Sequence, residues 1–410
     1  MRVLQVNKFL YRRGGAEGYM LDVSELLRGA GHEVGFFGMQ HPENVIHDFD
    51  DDYPTEVDFD NPAGITAKAR AGGRMLWSLA AQRGMANVIK KFRPDVAHLH
   101  NVYHQLSPSI LTPLKRAGVP IVMTAHDYKL VCPTYQLLAN GEICDACVPR
   151  HFHQALRVKC RDGSLATSAM MALELSVHTA TQRYSPISRF LCPSQYLADT
   201  LQRGKVFPDR LHVLRNFTFP ASERDDERAV EQGHFVFAGR LVPEKGVEVA
   251  VRAIGHTQQD VRLHILGEGP QQLHLETLAN EVAPGKITFH GRVSREEVVQ
   301  RLRASTAALV PSSWLENQPL AVLEAFGSGV PVIATDLGGL SEIVQPRRTG
   351  ILVPPKDPFA LAQAMDELTA DPEMAMQMGI NAAQYVRAAH DPDSHLIDLV
   401  GHYRAAGAVG

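Results

Sequence analysis

The chain has 410 residues, 45% of them hydrophobic and 21% charged, with a net charge of −4. That length suits two or three domains, the composition is that of a folded globular protein, and the acidic balance argues against a general nucleic-acid binder. No run of about 18 apolar residues is present, so no conventional spanning helix is expected.

The N-terminus, Met1-Arg-Val-Leu-Gln-Val-Asn7, reads as a short first strand. Lys8, Arg12 and Arg13 follow it too closely for a signal-peptide core. Five cysteines is an odd number, and the set includes Cys144-Asp-Ala-Cys147. Without a signal this points to reduced thiols and a cytoplasmic protein.

Short apolar runs alternate with helical patterns along the whole chain. Strands are expected at Val3–Asn7, Val34–Gly38, Val96–His100, Ile121–Thr124, Phe190–Pro193 and His212–Leu214. A second series covers Phe235–Gly239, Arg262–Leu266, Ile287–His290, Ala308–Pro311, Pro331–Thr335 and Ile351–Val353. Helices lie between them, such as Glu17–Ala30 with Met20, Val23 and Leu27 on one face. This alternation predicts α/β architecture with parallel, doubly wound sheets. Phe219–Gly233 is polar and charged, as a domain connection is. A first domain is therefore expected over 1–215, with a cysteine-containing insertion at 132–161. A second is expected over 216–385, and a final helix within 386–410 packs back on the first. The cleft between the domains is the expected ligand site.

Residues 43–60 carry eight acidic side chains and no Lys or Arg, whereas 64–93 carry seven basic and no acidic ones. The first reading of 64–93 is a solvated helical face. The second is a basic amphipathic segment that meets an anionic membrane surface or a pyrophosphate-bearing acceptor. Asp48-Phe-Asp50 and Asp58-Phe-Asp60 have the spacing of a metal-holding pair but fall in the acidic stretch, and they read as solvated charge.

Four motifs carry chemistry. Gly14-Gly15-Ala16-Glu17 opens a helix after the first strand, where glycine lets the backbone approach a phosphate and the helix N-terminus favours an anion. Ala125-His126-Asp127 follows the fourth strand, at the edge where open α/β sheets bind ligands. His126 there can donate to a sugar oxygen or stabilise charge. Gly239-Arg240-Leu-Val-Pro-Glu-Lys245-Gly246 places two cations five residues apart across a strand-to-helix turn, which suits a departing diphosphate. Glu316 and Glu324 lie eight positions apart; Pro319 between them can occupy the first turn of a helix, with Glu324 two turns in, followed by Pro331–Thr335 and Gly338-Gly339. That layout gathers an anion-friendly helix terminus and two hydroxyl-binding carboxylates at one sheet edge, as a sugar nucleotide requires.

Together these motifs, with Pro193-Ser194-Gln-Tyr-Leu197 and Leu266-Gly-Glu-Gly-Pro270, closely resemble the retaining glycosyltransferases of the two-Rossmann-domain (GT-B) class, family 4 or group 1 type. The resemblance covers essentially the whole chain. It implies that Arg240 and Lys245 bind the donor diphosphate and that Glu324 accepts from the ribose hydroxyls. It places Glu316 near the donor sugar hydroxyls, with the amides of Asn317, Gln318 and Leu320 nearby. It sets His126 beside the transferred sugar and Gly15 in a loop that closes on the donor. Two positions depart from the pattern. Pro319 stands where many relatives have glycine and removes one backbone donor. Phe217 follows Asn216 where relatives often have glycine, so Asn216 receives no ligand role.

The implied function is retaining transfer of a sugar from a nucleotide-diphosphate sugar to a hydroxyl of a glycan or lipid-linked acceptor, in cell-surface polysaccharide synthesis. No cofactor is expected for catalysis, because cationic side chains and helix dipoles take the place of a metal. Localisation is expected to be cytoplasmic, with 64–93 as a peripheral contact at the inner face of the membrane. A nucleotide-sugar epimerase and a non-catalytic nucleotide-sugar-binding subunit are the competing readings. Cys132, Cys144, Cys147 and Cys160 fall within 29 residues. A structural zinc site, with His151 and His153 as reserve ligands, free thiols, an oxidised pair and another metal all remain open for them. Cys192 reads as a buried apolar residue.

Overall fold

The computed structural model describes residues 1–57, 72–161, 163–219 and 230–409. Asp58-Phe-Asp60, the first part of the basic 64–93 segment and most of the charged connection after Phe219 lie outside the described residues. The chain forms two compact units. One is built from 1–140, 144–214 and 393–410, the other from 141–143 and 215–392.

The first unit holds six parallel strands: β1 Arg2–Val6, β2 Glu33–Phe37, β3 Val96–Leu99, β4 Ile121–Thr124, β5 Arg189–Cys192 and β6 Leu211–Val213, in the order β2-β1-β3-β4-β5-β6. The central strands β3 and β4 are apolar runs buried along their whole length, the environment that favours parallel pairing, whereas the edge strand β6 is half-buried throughout. Register runs through Val3↔Val34, Val3↔Val96 and Ala97↔Ile121. Helix α1, Gly15–Gly29, follows β1 and buries Tyr19, Met20, Val23 and Leu27. It begins two residues before the expected Glu17, because Gly14 is its extended N-cap. Helix α2, Leu79–Phe92, is capped by the Ser78 hydroxyl, which accepts from the Ala81 amide. Helix α3, Leu165–Ala180, precedes β5.

The second unit repeats the plan with β7 His234–Ala238, β8 Arg262–Leu266, β9 Ile287–Gly291, β10 Ala307–Val310, β11 Val332–Thr335 and β12 Gly350–Val353. Their order is β9-β8-β7-β10-β11-β12, all parallel. Alternation along β7 divides the core between two layers. Phe235 and Phe237 join Val251, Leu263 and Ile265 on one face. Val236 joins Val310, Phe326 and Ala334 on the other. In each unit the strand order reverses beside the first strand, at β1/β3 and at β7/β10, which opens a crevice at the strand carboxyl ends.

Helix α4, Leu320–Gly327, corrects the expectation for Pro319. The proline is the N-cap, with extended backbone at φ −69° and ψ 125°, and lies outside the first turn. Glu324 is the fifth helical residue, little more than one turn in. The last helix, α5 Pro392–Ala405, buries Tyr403 completely within the first unit.

Candidate active site

In the second unit, Arg240 leaves the carboxyl end of β7. The Gly239 amide donates to the Leu266 carbonyl at 2.9 Å and fixes the turn. Arg240 points outward, with 57% of its side chain exposed and Glu244 3.8 Å away. Lys245 ends a 3-10 turn, Pro243–Lys245, and Gly246 follows at φ +67°. A Cβ on Gly246 would lie 1.9 Å from the Pro311 carbonyl oxygen. Only glycine permits this approach, which sets the lysine turn against the end of β10.

There Lys245 Nζ donates to Glu316 Oε1 at 2.7 Å, and the Ser312 hydroxyl donates to the same oxygen at 2.7 Å. Glu316 is only 4% exposed. Burial alone would raise its pKa, but the Lys245 charge and the hydrogen bonds from Lys245 and Ser312 outweigh that and hold it below the usual carboxylate range. The Glu316 carbonyl accepts from the Gly339 amide at 2.7 Å, and a Cβ on Gly339 would meet the Asn317 oxygen at 1.4 Å. The Gly338-Gly339 turn is thus folded onto the Glu316 loop.

The other predicted donor residues divide. Leu320 is the first residue of α4, so its amide is one of the donors that a helix start leaves without an intrahelical acceptor. The Gln318 side chain is spent within the protein. Its Oε1 accepts from the Asn216 amide, and its carbonyl accepts from Asn216 Nδ2 at 3.1 Å. Asn216, given no ligand role from sequence, therefore pins the Glu316 loop. Asn317 borders the Gly339 turn. Glu324 lines a cavity of about 160 Å³ with Thr218, Phe219, Arg295, Val299 and Ser328. Arg295 Nε lies 3.8 Å from its carboxylate.

In the first unit, β4 delivers His126 to its carboxyl edge. His126 Nε2 is 2.9 Å from His100 Nδ1, and His100 Nε2 is 2.8 Å from Gln5 Oε1. His98 Nε2 meets the Thr124 hydroxyl and His98 Nδ1 the Tyr403 hydroxyl, each at 2.7 Å. Part of His126 reaches solvent, yet burial pushes its pKa down to about 3. Burial also drives His98 and His100 well below their ordinary value. All three rings are therefore neutral at pH 7. A neutral ring can still donate or accept a hydrogen bond, which suits the sugar-oxygen role expected for His126. Gly15 is the first residue of α1. Its neighbour Glu17 is buried and accepts from Asn7 Nδ2 at 3.2 Å.

Behind His126 lies an ion pair that the sequence reading missed. Lys129 Nζ donates to Glu174 Oε2 at 2.7 Å and to the Pro133 carbonyl at 2.9 Å, with both side chains 1% exposed. Burial would raise Glu174, but Lys129 and His104 hold it down at about 2. Burial lifts the neighbouring Asp127 to about 6. The alternation Val96-Ala-His98-Leu-His100 was the available signal for the histidine ladder. Nothing local pairs Lys129 with a residue 45 positions away.

Cys132, Cys144, Cys147 and Cys160 line one cavity of about 10 Å³, and no disulfide joins them. Burial raises Cys147 to about 12, with added repulsion from Cys132, Cys160 and Cys144. Among the described residues, one group of three metal-ligating side chains has its ligand atoms within 4.8 Å of one another: Glu231, His234 and His264. The basic segment is partly engaged: Lys91 Nζ donates to Asp52 at 2.5 Å, and Arg183 sits 4.5 Å over Trp77. Asp50 meets His47 at 2.7 Å.

Two six-stranded parallel sheets, with cations and a buried carboxylate at the carboxyl edge of the second, define the two-domain Rossmann-like (GT-B) class of glycosyltransferase. The family described as Glycosyltransferase Family 4 matches residues 13–219, and Glycosyl transferases group 1 matches 220–385. The chain belongs to the family 4, group 1 glycosyltransferases. It is 36% identical over 303 residues to a D-inositol 3-phosphate glycosyltransferase of Pseudarthrobacter chlorophenolicus, covering 71% of this chain and 66% of that one. An uncharacterized glycosyltransferase of Methanocaldococcus jannaschii and a D-inositol 3-phosphate glycosyltransferase of Paenarthrobacter aurescens are matched over 48% and 50% of their own length, at 28% and 32% identity. Sucrose-phosphate synthase from Thermosynechococcus elongatus superposes with a TM-score of 0.74 at 20% identity, covering 99% and 98% of the two chains. Anabaena HepE in complex with UDP and glucose gives 0.68 at 16%, covering 99% and 100%. Among the described residues no helix is long and apolar enough to cross a membrane.

Proposed function

We propose that this glycosyltransferase moves a sugar from a nucleotide-diphosphate sugar to a hydroxyl of a glycan or lipid-linked acceptor, with retention of anomeric configuration. The observation that carries the reading is the Lys245–Glu316 pair at the β7/β10 crevice, with Arg240 exposed beside it. It joins a cation that can face phosphate to a carboxylate that can face sugar hydroxyls. The UDP complexes of HepE support a nucleotide donor.

In this reading Arg240, Lys245 and the Leu320 amide stabilise charge on the departing diphosphate. Glu324 accepts from the ribose and Glu316 from the donor sugar. Neutral His126 hydrogen-bonds the transferred sugar, and the Gly15 loop closes on the donor. The acceptor hydroxyl attacks the anomeric carbon on the face the diphosphate leaves. A carbon–oxygen bond forms as the carbon–phosphate-oxygen bond breaks, and the leaving phosphate takes the acceptor proton. No protein nucleophile and no metal take part. A cytoplasmic setting in cell-surface polysaccharide synthesis, with 64–93 touching the inner membrane face, accords with a lipid-linked acceptor.

Calorimetric titration with UDP, GDP and ADP, on wild type and Arg240→Ala, tests the donor site. One nucleotide should bind at micromolar concentration, and the variant should weaken it at least tenfold, the scale of a lost charge-assisted hydrogen bond of about 1.5–3 kcal/mol. No binding of any of the three by folded protein overturns the reading. Product analysis with and without acceptor then separates transfer from epimerisation and from silent binding.

A further inference from the structure

We propose that Cys132, Cys144, Cys147 and Cys160 hold one structural zinc ion, which pins the segment that follows His126. The four thiols come from three separate stretches of chain, yet they line a single cavity of about 10 Å³. That volume suits one ion and is too small for an iron–sulfur cluster. Cys144 and Cys147 form a two-residue-spaced knuckle, and Cys132 and Cys160 close the set from either side. Four thiolates are the ligands of a closed tetrahedral zinc site.

Polar groups already stand beside the sulfurs, as the outer shell of a zinc site requires. The Ala155 amide and the Ser168 hydroxyl each favour the thiolate of the cysteine they face, Cys147 and Cys160. Cys132 Sγ lies 3.3 Å from the Thr134 hydroxyl. The segment also lacks a core of its own. Its apolar cluster amounts to Cys147, Phe152, Ala155, Ala172 and Leu175, with Cys160 packed against it. Its regular structure is two strands of two residues and the short helix Gln154–Val158. A chain this poor in core and helix gains order from a metal cross-link. The sulfurs are not yet gathered to within 4.8 Å in threes. Tetrahedral zinc sets them about 3.8 Å apart, so binding draws the knuckle and its partners inward. Binding releases the thiol protons, so affinity falls as pH drops.

The test is metal analysis of the full chain, reduced, supplied with zinc and desalted. One zinc per chain is expected. Cobalt should replace it and give the absorption of a tetrahedral four-thiolate site. Cys144→Ser/Cys147→Ser should abolish the stoichiometric zinc, while His264→Ala, which breaks the Glu231/His234/His264 group, should leave it in place. Ser168→Ala removes a hydroxyl that favours the Cys160 thiolate without removing a ligand and should weaken zinc about tenfold in chelator competition. It keeps the proposal testable if the double variant fails to fold. Folded, reduced wild type that takes up no zinc overturns the proposal. So does zinc lost in His264→Ala but kept in the double cysteine variant, or iron with sulfide in its place.

Discussion

Lys245 is the residue whose two roles can be separated by substitution. It neutralises Glu316, and in the proposed mechanism it faces the diphosphate. Lys245→Met should cost roughly 3 kcal/mol in urea unfolding at pH 7, because one partner of a buried pair is left without its counter-charge. Nucleotide binding should fall as well. Lys129→Met removes an equally buried partner, from Glu174, and should cost about 3–5 kcal/mol. It carries no donor role, so nucleotide affinity measured on its folded fraction should stay within twofold. Equal losses of affinity in both variants would mean that Lys245 acts through stability alone. Arg240 and Lys245 stood out in the sequence because each lies beside a glycine at a strand-to-helix turn, and Glu316 because it lies three residues before Pro319 and eight before Glu324. Ser312 and Asn216, which hold Glu316 and its loop, carried no such mark. Their partners are set by a β-strand edge and by a residue 102 positions away.

At the scale of elements, the central strands were legible because parallel strands buried on both faces read as unbroken apolar runs, whereas edge strands such as β6 and β9 are half-buried and were marked by their place in the alternation. Several ends differ by one residue. Ladder pairing begins at polar residues such as Arg2, Glu33 and His234, which an apolar run excludes. Helix α4 was misread at its start because Pro suits both N1 and the cap, and only ψ separates the two. Pro319→Gly tests what that cap does. It should lower stability by about 0.4–1 kcal/mol through the freer unfolded chain. It also restores an amide donor at the head of the helix, so the nucleotide that binds should bind more tightly. Unchanged or weaker binding would show that the missing donor does not face the diphosphate.

The strand β3 ladder gives the molecule a pH signature. His98, His100 and His126 have pKa values lowered by burial, so the unfolded chain binds protons that the folded chain refuses. Each such ring subtracts up to about 1.4 kcal/mol per pH unit as pH falls below 6.5. For His126 the loss ends near pH 3, its folded value. Glu174 acts in a lower window. Its stabilisation is whole above about 4.5 and is lost as pH falls towards 2. Urea unfolding at pH 7.5, 6.5, 5.5 and 4.5 should therefore show stability declining from the first step below 6.5. A flat profile down to pH 5 would refute the buried, neutral ladder.

For the whole molecule, the decisive feature is that the first unit is not continuous in sequence. Residues 393–410 belong to it, although they follow all of the second unit. Tyr403 fills its core, and its hydroxyl meets His98. His395 reaches Tyr19 at 3.0 Å. A fragment of residues 1–214 therefore lacks an interior part and leaves His98 Nδ1 without its partner. It should unfold at lower urea than the first unit of the whole chain, and a peptide of residues 392–410 added in trans should restore stability. Residues 215–392, by contrast, form one stretch that carries both core layers of their sheet and lacks only 141–143 of the second unit. That fragment should unfold cooperatively by itself and, if the donor site is as proposed, bind the same nucleotide as the whole chain. Far-UV circular dichroism of both fragments, with and without the peptide, checks the expectation. A 1–214 fragment as stable alone as with the peptide would show that the last helix only decorates a unit already complete.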